Sequence, residues 1–203
     1  AVNNIFVHES VKEVLVQKLK DIFVSNKQTF QAGFETTHQI RSLFTESSAN
    51  RLKGLYTDAV DKGASVAVGK VGFEGALVQP IILKNVKDSM YIYTEESFGP
   101  VLSIITFKEE EEVIKLVNEQ NAGLAACIFS KNVEKAFRIA QTIQAGQVHV
   151  NSHSVHDHGL MQHGGWKQSG YGRLGGGVEG IREFTQSQGF TVQAGTSIPL
   201  HLM

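Results

Sequence analysis

The sequence predicts an α/β protein built on a largely parallel sheet. Short β-rich apolar runs alternate with longer amphipathic runs of helical spacing along most of the chain. The helical runs are about three to four turns long, enough to cross a sheet and return to its starting edge. The connections between them show no linker, repeat or low-complexity segment.

Asn4–His8 reads as the first strand. Ser10 and Glu13 have the spacing of a capping box. Val11, Val14, Leu15, Leu19, Ile22 and Phe23 then follow helical spacing to about Asn26. Residues 27–44 are polar and irregular, a long loop. Leu52, Leu55, Tyr56, Ala59 and Val60 form a second helical stripe, stopped by Gly63. Residues 64–68 and 76–83 read as strands, and Pro80 makes the second an edge strand or a bulged one. Val101–Phe107 is a β-rich run. The acidic residues 109–112 then suit a helix N-terminus, with Val113, Ile114, Leu116 and Val117 on its buried face. Strands over 124–129 and 147–151 flank a helix carrying Val133, Ala136, Phe137, Ala140 and Ile143. A short helix over 178–184 and a last strand over 190–193 complete the chain. Residues 1–183 are read as one α/β domain and 184–203 as a strand and tail for oligomerisation.

Composition narrows the class. At 41% hydrophobic, the chain has enough apolar residues for a real core. Its 19 basic and 20 acidic residues leave no basic stripe, so nucleic acid is not an expected partner. No apolar run approaches the ~20 residues of a membrane helix, and no secretory signal pattern opens the chain. The single cysteine, Cys127, excludes an internal disulfide and fits a reducing, cytoplasmic compartment. It lies in an apolar strand, where cysteine behaves as a small hydrophobe. Ala1 reads as a natural start after removal of the initiator methionine, with truncation as the alternative.

Residues 147–175 are the most informative. A strand leads into a loop holding His153, His156, Asp157, His158 and His163, followed by glycines at 164, 165, 170, 172, 175, 176 and 177. Histidine changes charge nearest neutral pH, so Asp157, His158 and His163 are candidate acid–base groups. A metal site is not expected, because a loop promises neither convergent ligands nor an oriented outer shell. Asn151, His153, His156, Met161, Trp166 and Phe98 are candidates for a substrate pocket, with core packing open for the aromatics. Sites in open α/β sheets gather beyond strand C-termini. The loops after Asn151 and around residues 95–100 are therefore expected to wall one cleft. Gly170-Tyr171-Gly172-Arg173-Leu174-Gly175 spells GxGxxG but neither follows a strand nor opens a long helix, so it is not read as a dinucleotide fingerprint.

Val150-Asn151 followed by Gly164-Gly165-x-Lys167-x-Ser169-Gly170-x-Gly172-Arg173 resembles the VN…PFGGxKxSGxGR signature of the aldehyde dehydrogenase superfamily. Glu95-Glu96-Ser97-Phe98-Gly99-Pro100 resembles its EExFGP motif. Asn121-Ala122-Gly123-Leu124 and Ala145-Gly146-x-Val148 also fit. His156-Asp157 and Glu183-Phe184-Thr185 resemble the aromatic-aldehyde branch, the salicylaldehyde and vanillin dehydrogenases. The family's Pro-Phe is Gln162-His163 here. The resemblance implies an open, twisted catalytic-domain sheet flanked by helices and a homodimer paired through the C-terminal region. It implies that Glu96 and Phe98 would face a nicotinamide ribose, and that Lys167 and Arg173 make structural contacts. It also places the nucleophilic cysteine and the nucleotide-binding domain upstream of Ala1.

The first functional expectation is therefore a cofactor-independent cyclase, isomerase or dehydratase acting on an aromatic or polyketide-like carbonyl compound. It would use Asp157, His158, His163 and Glu96, with Glu96 and Phe98 vestigial as cofactor contacts. The alternatives are one portion of an NAD(P)-dependent aldehyde dehydrogenase and a non-catalytic binding partner.

Overall fold

The computed structural model of the chain describes residues 2–25, 40–155, 158–172 and 174–192. Strand β1 (Asn4–His8) runs without a loop into helix α1 (Glu9–Ser25). The helix starts one residue before the expected cap. The ring of His8 accepts the Ser10 backbone N–H at 3.2 Å, so His8, not Ser10, satisfies this first-turn donor. Helix α2 (Glu46–Asp61) begins well ahead of its apolar stripe, because Thr45 caps it by accepting the Ser48 N–H at 3.1 Å. Its buried face is Ala49, Leu52, Leu55 and Ala59.

Strand β2 (Ser65–Gly69) is followed by a small hairpin of β3 (Phe73–Glu74) and β4 (Leu77–Val78), then by β5 (Ile81–Lys84). The expected strand over 76–83 is thus cut at Pro80. Its second half is not at an edge: β5 lies between β2 and β6 (Val101–Phe107). Pro80 is tolerated because it precedes the ladder, and the bulge sits on β2 between Val66 and Val68. Helix α3 (Tyr91–Thr94) precedes β6, and α4 (Glu110–Asn118) follows it. Then come β7 (Ala122–Gly123), β8 (Ala125–Ile128), α5 (Val133–Ala140) and β9 (Gln147–Val150). Three two-residue strands, β10 (Gln162–His163), β11 (Trp166–Lys167) and β12 (Leu174–Gly175), precede α6 (Val178–Glu183).

The main sheet has the order β1-β6-β5-β2. β1, β6 and β5 are parallel, with Asn4 opposite Ser103 and Ile81 opposite Val101; β2 is antiparallel. A second parallel pair, β8 with β9, sets Ala125 opposite Gln147. Alternation along β5 sends Ile81 and Leu83 into the cluster built on α2, and Ile82 into the cluster built on α1 with Val7, Val16 and Ile104. Helices therefore cover both faces of the main sheet, the arrangement expected of a mostly parallel layer. Residues 190–192 join no sheet among the described residues, and the rest of the expected oligomerisation strand and tail lies outside them. Among the described residues, no helix is long and apolar enough to cross a membrane.

One ion-pair cluster ties α4 to α5. Glu110 accepts from Arg138 at 3.0 Å and faces Lys135 at 3.1 Å. The Arg138 and Lys135 hydrogen bonds hold the Glu110 carboxyl below its ordinary pKa. A carboxylate whose folded pKa is depressed adds stability above its unfolded pKa and loses it as pH falls through the folded value. Urea melts of wild type and Glu110→Gln should therefore converge as pH is lowered from about 6 through the ordinary glutamate pKa of ~4.3 and below. A gap between them that persists undiminished at the acid end would show that charge is not what links these helices.

Candidate functional site

The site is built from two segments that the fold ties to one another. The first is residues 95–100, between α3 and β6. It lies at the N-terminal ends of β1 and β6, not beyond a strand C-terminus, so the open-sheet rule does not locate it. The Ser97 N–H donates to Asn3 Oδ1 at 3.0 Å, and Asn3 Nδ2 donates to the Glu95 carbonyl at 3.4 Å. Arg51, on α2, donates to the Glu96 and Ser97 carbonyls at 2.8 and 2.9 Å. Gly99 rests on Leu52: a Cβ there would come within 2.4 Å of Leu52 Cδ2. Ser97 is buried, while Glu96 is exposed. Phe98 is 71% exposed at a left-handed φ of 47°, so its ring is not core packing.

The second segment is the glycine-rich stretch. Gly164-Gly165-x-Lys167-x-Ser169-Gly170 folds as a clasp over the turns that open β8 and β9. Trp166 and Lys167 pair antiparallel with Gly123 and Ala122. The Gly123 N–H donates to Ser169 Oγ at 2.9 Å. A Cβ on Gly146 would lie 1.7 Å from the Gly164 carbonyl oxygen, and one on Gly123 would lie 3.1 Å from Trp166 Cβ. These glycines are present because backbone meets backbone. Lys167 Nζ donates to the Asn118 and Gln120 carbonyls at 2.7 and 3.0 Å, next to the last turn of α4, where a cation is favoured. Partial burial pushes its pKa down. The structural role expected for Lys167 is what its bonds show; Arg173 lies outside the described residues.

Gln120 joins the two segments. Its backbone carbonyl receives Lys167, and its side-chain oxygen receives Asn4 Nδ2 at 3.0 Å. Asn4 Nδ2 also reaches the Tyr93 carbonyl at 2.9 Å, just before residues 95–100. Asn3 and Asn4, at the start of β1, therefore hold one segment directly and the other through Gln120. Neither they nor Arg51 were singled out from the sequence. The only signal available was a pair of polar side chains opening an apolar strand.

The loop after β9 carries the candidate acid–base residues. Asn151, at φ 53°, accepts from the Ser130 N–H and donates to the Ser130 carbonyl, both at 2.9 Å. Its amide thus clips the ends of β8 and β9 together. His158 Nδ1 accepts the Leu160 N–H at 3.2 Å, and His163 sits in β10 against Leu174. His153, His158 and His163 are all exposed. Met161 and Trp166 are each 42% exposed, so neither is core. His156 and Asp157 lie outside the described residues. Among the described residues, no three of His, Cys, Asp and Glu converge as metal ligands. The Cys127 thiol is pushed up by burial, against a hydrogen bond with Ser154, and is no ready nucleophile.

A cofactor is tested most directly at the glycine motif. Gly172 and Gly175 have φ of 82° and 74°, but the run pairs β12 with β10 and leads into the six-residue α6, which offers no cradle for a diphosphate. Glu96 and Phe98, the two residues that the family resemblance assigns to a cofactor, are both exposed.

The family model described as "Aldehyde dehydrogenase family" matches residues 1–190, and the chain belongs to that family. A vanillin dehydrogenase from Pseudomonas sp. is 37% identical over 192 residues, covering 92% of this chain and 40% of that protein. A salicylaldehyde dehydrogenase from Pseudomonas putida is 33% identical over 192 residues, covering 93% and 38%. The crystal structure of a salicylaldehyde dehydrogenase from Pseudomonas putida G7 complexed with salicylaldehyde superposes with a TM-score of 0.81 at 31% identity, covering 95% of this chain and 40% of that one. The chain thus spans about 40% of the length of the curated relatives it matches.

Proposed function

We propose that these residues form the catalytic-domain part of an NAD(P)-dependent oxidoreductase acting on an aromatic aldehyde. The carrying observation is the rigid anchoring of residues 95–100, which presents Glu96 and Phe98 outward while Asn3, Arg51 and Leu52 hold the backbone. A vestigial turn would not need to be held by three separate residues. A nicotinamide, when bound, would supply the hydride acceptor; oxidation of the aldehyde with one water to a carboxylate would pass one hydride to it and release two protons. The chain's own part is to hold Glu96 and Phe98 against the cofactor and to line the carbonyl site with Trp166 and Met161. The thiolate that this chemistry uses is not Cys127 and would come from outside these residues. The single cysteine of these residues fits a reducing, cytoplasmic setting.

The cofactor-independent acid–base reading draws less support. It needs histidines withdrawn from water beside a pocket, whereas His153, His158 and His163 are exposed. The experiment is an assay of the whole reading frame that carries this chain, with vanillin, salicylaldehyde and benzaldehyde. Aldehyde-dependent formation of NAD(P)H is the expected result. Turnover of an aromatic carbonyl compound by the 203 residues without nicotinamide, lost in Asp157→Asn or His158→Ala, would reverse the preference.

A further inference from the structure

We infer that Arg51 is a positioning residue for the cofactor end of the site, setting the pose of Glu96 and Phe98 without touching the reacting atoms. The inference rests on the oxidoreductase reading above. One Arg51 side chain engages four consecutive residues. Nη2 donates to the Glu96 and Ser97 carbonyls at 2.8 and 2.9 Å. Nη1 lies 3.6 Å from the Glu95 carboxylate. The guanidinium carbon lies 5.8 Å from the Phe98 ring centroid, within reach of a cation–π contact.

Each contact constrains a different degree of freedom. The two carbonyl bonds fix the direction of the peptide planes on either side of Ser97. The contact with Phe98 orients its ring. The guanidinium pairs with Glu95, and the exposed Glu96 carboxylate is the one assigned to a ligand hydroxyl. Phe98 is a bulky residue at φ 47°, a conformation that persists only where surrounding contacts impose it. Arg51 supplies such contacts from one side and Asn3 supplies them from the other. A lysine could neutralise Glu95, but a point charge cannot serve two carbonyls, a carboxylate and a ring face at once. Arg51 is on the exposed side of α2, and its neighbour Leu52 carries the core contact, so the guanidinium can be removed without opening the core.

The test uses the whole reading frame, with Arg51→Ala and Arg51→Lys, and measures three quantities. Calorimetric Kd for NAD(P) should rise about tenfold in Arg51→Ala, because the bound pose is no longer preorganised. KM for the cofactor should rise with it, while KM for the aldehyde stays within about twofold and the melting temperature of the cofactor-free protein barely moves. Arg51→Lys should retain most of the cofactor defect. A cofactor Kd unchanged in Arg51→Ala overturns the inference. So does a parallel loss in cofactor affinity, aldehyde KM and melting temperature, which marks a general structural role. A wild-type enzyme that binds no nicotinamide overturns the oxidoreductase reading and this inference together, whereas an active wild type with indifferent variants overturns this inference alone.

Discussion

Gly146→Ala should unseat the glycine clasp, at a cost of about 3–5 kcal/mol, while Gly54→Ala should stabilise the protein slightly. The contrast follows from what each new methyl group would meet. At Gly146 the Cβ would lie 1.7 Å from the Gly164 carbonyl oxygen, which is backbone and cannot rotate aside. The cheapest escape is for residues 162–170 to lift away. That movement would lose the Gly123–Ser169 bond, the Lys167 bonds to Asn118 and Gln120, the Trp166–Gly123 pairing and the Gln147 side-chain bond to the Gln162 carbonyl. At roughly 0.5–1.5 kcal/mol for an ordinary hydrogen bond, and with the exposed Lys167 regaining water, loss of part of this set accounts for about 3–5 kcal/mol. At Gly54, inside α2, a Cβ meets nothing within 4 Å, and alanine gains the roughly 0.5–1 kcal/mol that glycine forfeits in a helix. Urea melts measure both changes. Amide exchange should show the loss at Gly123 first, because its N–H is held by Ser169. A Gly146→Ala protein as stable as wild type would mean that the clasp does not approach the β9 turn this closely.

The same clasp shows what the sequence can and cannot convey. The glycines at 123, 146, 164 and 165 are legible as places where backbone comes close to something. Gly146 meets the Gly164 carbonyl and Gly123 meets Trp166, and such pairing across tens of residues leaves no periodic trace. Strand β6 was readable to the residue because seven successive β-rich positions are bounded by Pro100 and Lys108. The two-residue strands are not, since two residues cannot display an alternation. The Pro80 run reads as one strand because only Gln79 and Pro80 interrupt its apolar residues. The close approach of Gly69, whose Cβ would lie 2.1 Å from the Pro80 carbonyl, is a tertiary fact. The histidines attracted attention by residue type, yet exposure is set by what packs over a loop. Arg51 is illegible for the converse reason: a lone arginine on a polar helix face looks like solvated charge until a loop 45 residues away is laid on it.

Leu52→Ala should be the most damaging single truncation near the site, lowering stability by about 3 kcal/mol within the 2–5 kcal/mol span of buried leucine truncations. Leu52 is fully buried in the cluster with Leu83, Ile81 and Val101, so the void would be walled by sheet residues that cannot collapse freely. It also supports Gly99, and through it the turn whose backbone feeds the Val101 N–H to Gly99 O bond and the Ile81 N–H to Pro100 O bond, at 2.8 and 3.0 Å. The truncation should therefore act twice, on the core and on residues 95–100, and exchange at Ile81 and Ser97 should quicken beyond the global change. Leu52→Met, which conserves volume, should cost less than about 1.5 kcal/mol and leave those amides protected. Arg51→Ala provides the complement one residue away: it frees the outer contacts of the same turn with the core intact. If Leu52→Ala and Arg51→Ala gave equal losses of stability, the division of labour between these adjacent residues of α2, one holding the turn from beneath and the other setting its outward pose, would not stand.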